Sequence, residues 1–243
     1  MPFKLLCLLV PVLALFSCAP SGETGSASYG LDEWGHRAGP RGFRTVILDA
    51  GHGGSDPGAI SRHTGQREKD LALDTVKRIK AELGGEFRTV LLRSDDRFID
   101  LDDRVNFANR YPGAILVSMH YNSGGSGTRG PETYYWRVDS HGLATRFQRA
   151  MASVSPSESG SRGMVRRRLR LTRNPDIPCV LLEGGYLSNP AEAKLIAQPD
   201  YRQRLAKAIA GAIRDQARHG DAGTGPLPPP RYEPPSRPTD APE

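Results

Sequence analysis

The feature that most narrows what this chain can fold into is a repeated local pattern. A short apolar run stops at polar or glycine-rich residues, and a stretch of helical periodicity follows. Residues 43–49 (FRTVILD) form such a run and end in a Gly-rich turn. Residues 87–92, 114–119 (AILVSM), 132–136 and 179–182 (CVLL) repeat it. Runs of this length, bounded by turn residues, read as buried strands. Between them, Glu68–Leu83 places Ala72, Val76, Ile79 and Leu83 on one helical face before Gly84-Gly85 stops it. Residues 101–110 predict a short helix with Leu101, Val105 and Ala108 inward. His141–Val154 predicts another, and 191–219 predicts one or two closing helices. Strands alternating with helices define an α/β fold: a single domain with a mostly parallel twisted sheet and helices on both faces.

The ends of the chain have a different character. MPFKLLCLLVPVLALFSC carries one positive charge, Lys4, before an apolar stretch of signal-peptide length. Leu15-Phe16-Ser17-Cys18 resembles a bacterial lipobox, in which the Cys is lipidated and becomes the mature N-terminus. Residues 1–17 are therefore expected to be a lipoprotein-type signal peptide and 18–42, rich in Gly, Ser and Pro, a flexible tether. Residues 43–220 form the expected body. Residues 221–243 hold 8 Pro in 23 positions and read as a disordered tail. No apolar run approaches the roughly 20 residues of a membrane-spanning helix. With 3 Cys in all, and only Cys179 in the body, the body cannot be a disulfide scaffold. The expected location is the cell envelope or periplasm, on a lipid anchor. The net charge of +6 raises nucleic acid as a partner, but the basic residues are scattered. Anionic cell wall is the better polymer partner for an exported protein, and no nucleic acid is expected.

In open α/β sheets ligands sit beyond the carboxyl ends of the strands. Three predicted strands run into polar motifs there: LDAGHGGSDPGA, VSMHYN and LLEGGYLSNP. Topology thus brings His52, His120 and Glu183 to one edge, and Glu68, opening the first predicted helix, points to the same edge. Two His and a carboxylate suit zinc, with a fourth position left for water. A second carboxylate then serves as general base. The spacing does not fix which Glu is the ligand. His36, His63, His141 and His219 stand outside these motifs and read as ordinary surface or core residues. GHGG lacks the Lys-Ser/Thr of a P-loop, HExxH is absent, and Cys179 precedes an apolar strand, which makes a cysteine hydrolase a poor reading.

Taken together, Gly51-His52-Gly53-Gly54, Asp56-Pro57-Gly58-Ala59, Glu68-Lys69-Asp70, Ser118-Met119-His120-Tyr121-Asn122 and Glu183-Gly184-Gly185-Tyr186-Leu187-Ser188-Asn189 resemble the zinc-dependent N-acetylmuramoyl-L-alanine amidases of the amidase 3 family. Arg93 with Asp96, and Leu101, Arg104 and Ala108-Asn109, extend the match in order. The resemblance implies zinc on His52, Glu68 and His120, with Glu183 as the catalytic carboxylate. It implies hydrolysis of the amide between N-acetylmuramic acid and L-alanine in peptidoglycan. Wall turnover or daughter-cell separation is the expected setting, and a protein activator is the further partner it allows. Asn122, Arg93 and Arg173 are the candidate substrate contacts. Some family members carry a regulatory helix that blocks zinc between the second His and the last Glu; that segment is short here, and the helix is expected to be missing. Arg166-Arg167-Arg168-Leu169-Arg170 reads either as a contact for acidic stem peptides or wall polymers, or as an exposed edge strand kept soluble by charge. A zinc peptidase cutting within stem peptides, and a non-catalytic lipid-anchored wall-binding module, are the competing functions.

Overall fold

A computed structural model describes residues 37–228. The expected signal peptide, Cys18, most of the tether and the tail beyond 228 lie outside the described residues. One six-stranded sheet is built from β1 (Thr45–Ala50), β2 (Arg88–Leu91), β3 (Ile115–Asn122), β4 (Glu132–Tyr135), β5 (Gly163–Arg166) and β6 (Cys179–Tyr186). The spatial order is β2-β1-β3-β6-β4-β5. All neighbours pair in parallel except β4 with β6. The helices are α1 (Glu68–Leu83), α2 (Leu101–Ala108), α3 (His141–Val154), the single turn α4 (Arg170–Arg173), α5 (Pro190–Ala197) and α6 (Pro199–His219).

The period-two alternation of side chains divides the core. Val46, Leu48, Ile115, Val117, Met119, Tyr121, Val180 and Leu182 face a large cluster that includes residues of α1, α3 and α6. Ile47, Leu116 and Cys179 face a smaller cluster with Val105, Ala108 and Leu171 from α2 and α4. Helices therefore cover both faces. The same alternation places Asp49, Ser118, His120 and Glu183 on the second face, where the apolar layer is thinner. Because β2 and β3 flank β1 on opposite sides, the switch point of the sheet lies between β1 and β3.

Several expected boundaries shift. β3 and β6 run beyond their apolar segments to Asn122 and Tyr186, because the polar residues continue the ladder between them: His120 pairs with Glu183. His120 and Glu183 thus stand inside strands rather than in the turns after them. Leu101 is not inward but 38% exposed at the start of α2, where Asp100 caps the helix by accepting from the Asp102 amide at 2.8 Å. β5 forms the edge of the sheet beside β4; of the segment 166–170, for which an edge strand is one reading, only Arg166 belongs to it, and residues 163–165 carry no strand pattern. Residues flanking the expected 43–220 body also pack. Gly39 N–H donates to Asp221 Oδ2 at 2.6 Å, Gly42 N–H to the Ala217 carbonyl at 2.8 Å, and Thr224 is buried.

On the second face Asp49 is fully buried and accepts from Arg104 Nη1 and from Ser118 Oγ. Removing one member of a buried ion pair leaves the other charge uncompensated, at a cost of about 3–5 kcal/mol. Asp49→Ala is expected to lower the unfolding free energy by that amount, as measured by urea denaturation.

Candidate metal centre and adjoining carboxylates

The turn after β1 is shaped from behind by two guanidinium groups. Arg93 donates to the carbonyls of Ala50 at 2.8 Å, Gly51 at 2.7 Å, Lys69 at 2.8 Å and Asp95 at 3.0 Å. Arg104 donates to the carbonyls of Ala50 at 3.0 Å and His52 at 2.7 Å. Three successive carbonyls are thus fixed, and His52 is held at φ 60°, the one positive φ of a non-glycine residue among the described residues. Such a conformation persists only where its surroundings over-determine it. Lys69 ties the loop further, donating to the Gly54 carbonyl and to Asp96 Oδ2. A Cβ at Gly51 would lie 2.2 Å from the His120 ring, so this turn can approach β3 only as glycine.

His52, Glu68 and His120 come together at the switch point. One oxygen of Glu68, Oε1, lies 3.0 Å from His52 Nε2 and 2.8 Å from His120 Nδ1, and it also accepts from the Tyr121 amide at 3.1 Å. Its second oxygen accepts from the Ala59 amide at 3.0 Å. Asp56 Oδ2 meets the other nitrogen of His52 at 2.7 Å and orients that ring. A ligand atom from each of His52, Glu68 and His120 lies within 4.8 Å of the others. Burial alone would lower the His52 pKa, but the hydrogen bonds and charges of Glu68 and Asp56 raise it to about 9. Burial would raise the Glu68 carboxyl, yet His120 and His52 hold it well below the usual range. Two imidazoles around one carboxylate fit a divalent cation: two nitrogens and one oxygen converge, and a carboxylate already orients one ring from outside.

Glu183 stands next to His120 on the neighbouring strand and is treated differently. Its Oε2 is buried without a hydrogen-bond partner. Burial, then the negative charges of Glu68 and Glu132, push its carboxyl well above the usual carboxylate range. Glu132, its partner on β4, is buried and better supplied with donors: Oε2 accepts from Tyr134 Oη at 2.8 Å and Tyr186 Oη at 3.3 Å, while Oε1 lies 3.5 Å from Arg162 Nε. Burial and the Glu132 charge push the Tyr186 phenol up to about 12, so it stays a donor. Two adjacent carboxylates, one with an oxygen that accepts from two hydroxyls and one with an oxygen left bare, are set for different roles. Glu132 escaped the sequence reading; its only signal was a polar residue opening a predicted strand.

The remaining candidates separate. Asn122 lies beside the pair, its Nδ2 donating to Tyr186 Oη at 3.2 Å. Arg93 is fully buried behind the turn, where its donors are taken up by backbone carbonyls. Arg173 is half-buried at the end of α4 and is not among the residues lining the cavity beside the cluster. That cavity, of about 440 Å³, is lined by His52, Asp56, Phe98, Leu101, His120 and Leu169 among others. Of the Arg-rich segment, Arg166 closes β5 at the sheet edge, and the guanidinium groups of Arg166 and Arg168 lie 5.3 and 5.2 Å from the Trp136 ring centroid.

The fold and site thus define an α/β protein with a His-Glu-His cluster at the carboxyl edge of its sheet. Residues 46–215 match the model of the N-acetylmuramoyl-L-alanine amidase family, and the chain belongs to that family. Its relatives include a probable cell wall amidase, LytH, of Staphylococcus saprophyticus, 34% identical over 179 residues; the match covers 70% of this chain and 57% of that one. The chain thus spans a little over half the length of that relative. Among solved structures, an N-acetylmuramoyl-L-alanine amidase from Clostridium difficile 630 superposes with a TM-score of 0.68 at 32% identity, covering 72% of this chain and 97% of that one. The catalytic domain of the amidase CwlV from Bacillus (Paenibacillus) polymyxa does so with a TM-score of 0.67 at 34% identity, covering 71% and 97%.

The raised His52 pKa makes the cluster sensitive to pH in a defined direction. Without a cation, the His52 imidazolium contributes stability that is complete below its ordinary pKa of 6.5 and disappears as pH rises through about 9. A cation must displace these protons, so its affinity climbs across the same window. Thermal melts in chelator are expected to show a falling Tm between these pH values. Melts with added zinc are expected to show a widening gap above them.

Proposed function

We propose that the protein is a zinc-dependent N-acetylmuramoyl-L-alanine amidase that cleaves the lactyl–L-alanine amide of peptidoglycan. The observation that carries this reading is the bare, buried oxygen of Glu183 beside a convergent His52, Glu68 and His120 in a chain of this family. His52, Glu68 and His120 would hold the ion, which when bound acidifies water and polarises a carbonyl. Glu183 takes the proton that the attacking water loses and gives it to the alanine nitrogen as the C–N bond breaks. Its raised proton affinity suits a group that must first accept and then donate. Glu68 keeps its negative charge throughout, because the imidazoles and two amides stabilise its ionised form.

The site is reachable. The side chains of His52 and His120 are 23% and 15% exposed. Between β3 and β6 the long helix is α3, and it packs on the opposite face of the sheet with α6. This supports an enzyme without the blocking helix of some relatives. No helix among the described residues is long and apolar enough to cross a membrane. We infer that export and a lipid on Cys18 bring the domain to the wall, in turnover or cell separation.

Three experiments test this. Glu183→Gln is expected to lower peptidoglycan hydrolysis about 100- to 10,000-fold while zinc stays bound, read by turnover and metal analysis. Mass spectrometry of the wild-type digest should then show free, intact stem peptides; shortened stems still attached to muramic acid would mean a peptidase instead. For the anchor, Cys18→Ala is expected to abolish labelling by a fatty-acid probe and to release the protein from the membrane fraction.

A further inference from the structure

The metal cluster and Glu183 belong to a row that continues across the sheet. His120 on β3 pairs with Glu183 on β6, Glu183 with Glu132 on β4, and Glu132 with Gly163 on β5. Neighbouring strands are spaced by about 4.8 Å, so the row extends roughly 10 Å beyond Glu183. At its far end stands Arg162, the residue before β5. Its side chain is 43% exposed, and its Nε lies 3.5 Å from Glu132 Oε1. Its guanidinium sits over the Tyr186 ring, 5.5 Å from the centroid. Glu132 is in turn fixed by the Tyr134 and Tyr186 hydroxyls, and Tyr186 Oη also receives Asn122. A cationic fork is thus held at one edge by a carboxylate and on one face by an aromatic ring, with part of it open to solvent. Pre-organised guanidinium groups of this kind recognise carboxylates by paired N–H donors.

The Glu132 carboxylate at this end of the row would repel an anion, so a carboxylate that approaches from the β4–β5 side has Arg162 as its compensating charge. In a stem peptide the second residue is joined onward through its side-chain carboxyl, which leaves its α-carboxylate free unless amidated. That group lies about five bonds beyond the scissile nitrogen, roughly 6 Å in an extended chain. An Arg side chain reaching back over Tyr186 covers the remaining distance to the Glu132–Gly163 end of the row.

We propose that Arg162 is a specificity-determining residue that binds the free α-carboxylate on the second residue of the stem peptide. The inference rests on the amidase reading and names the form of substrate that reading leaves open. Glu132 and Tyr186 act through Arg162 as positioning residues.

The test compares two muropeptides that differ only in whether this carboxylate is free or amidated. Wild-type protein is expected to cleave the free acid with a KM roughly 10-fold lower, the size of one charge-assisted hydrogen-bonded contact. Arg162→Ala should remove that preference by raising KM for the free acid alone, with kcat little changed. Arg162→Lys should restore part of it. Equal KM values for wild-type protein on the two substrates, or an equal loss on both in Arg162→Ala, would overturn the proposal. Binding of both muropeptides to the full-length Glu183→Gln protein, read by calorimetry, gives the same comparison without turnover. If wild-type protein cleaves neither, the amidase reading fails, and a tenfold binding preference for the free acid still upholds the role of Arg162; equal binding refutes it.

Discussion

The carboxylate of Glu68 meets two imidazoles and two backbone amides within 3.1 Å while its residue is only 5% exposed. A charge in that position survives only because every neighbour is a donor. The donors come from three places in the chain: the turn after β1, the loop before α1 and the body of β3. Each must be placed before the carboxylate is satisfied. The fold meets this with two arginines that hold the carbonyls of residues 50–52 from behind, and with Lys69, which pins the far side of the loop to Gly54 and Asp96. The site is therefore held in place largely by residues outside the cluster, of which Arg104 also lines the cavity beside it.

The sheet supplies the second half of the arrangement. Strand pairing fixes His120, Glu183 and Glu132 side by side, and the two-residue period sends them all to one face. A slip of one residue in β6 would put Glu183 into the large core and Leu182 at the site. The three carboxylates then differ in what surrounds them. Glu68 is saturated by nitrogen donors, Glu132 accepts from two tyrosine hydroxyls, and Glu183 keeps one oxygen bare. Glu68 and Glu183 are thereby shifted in opposite directions, the first toward its ionised form and the second toward its neutral one.

Much of this was legible in the sequence, for reasons that are physical. The strands and long helices showed because their apolar spacing differs so clearly, and α1 and α3 begin and end where that spacing predicts. Elements held by pairing alone did not show. Residues 163–166 (GMVR) carry one Gly and one Arg in four and become a strand only against β4. The last residues of β3 and β6 are polar and extend the ladder only because each has the other. At the site, the polar ends of three strands pointed to His52, His120 and Glu183, but the choice between Glu68 and Glu183 depends on loop closure that no spacing encodes. Arg93 looked like a substrate contact and is buried because four carbonyls need its donors. Glu132 was silent, since a lone acid opening a strand has no pattern until its neighbours are in place.

The packing of residues 39–42 against 217–221 has a geometric consequence. Residues 39–42 and 217–221 are bonded to one another beside the amino end of β1. The His52–Glu68–His120 cluster lies at the carboxyl end of that strand, six residues or about 20 Å away. Whatever is joined to the domain at either terminus hangs from the same pole. The cluster faces outward from the opposite pole, like the working end of a tool held by its handle. A short attachment would therefore orient the domain toward a polymer lying beyond it, and lengthening the attachment would change reach without turning the site away.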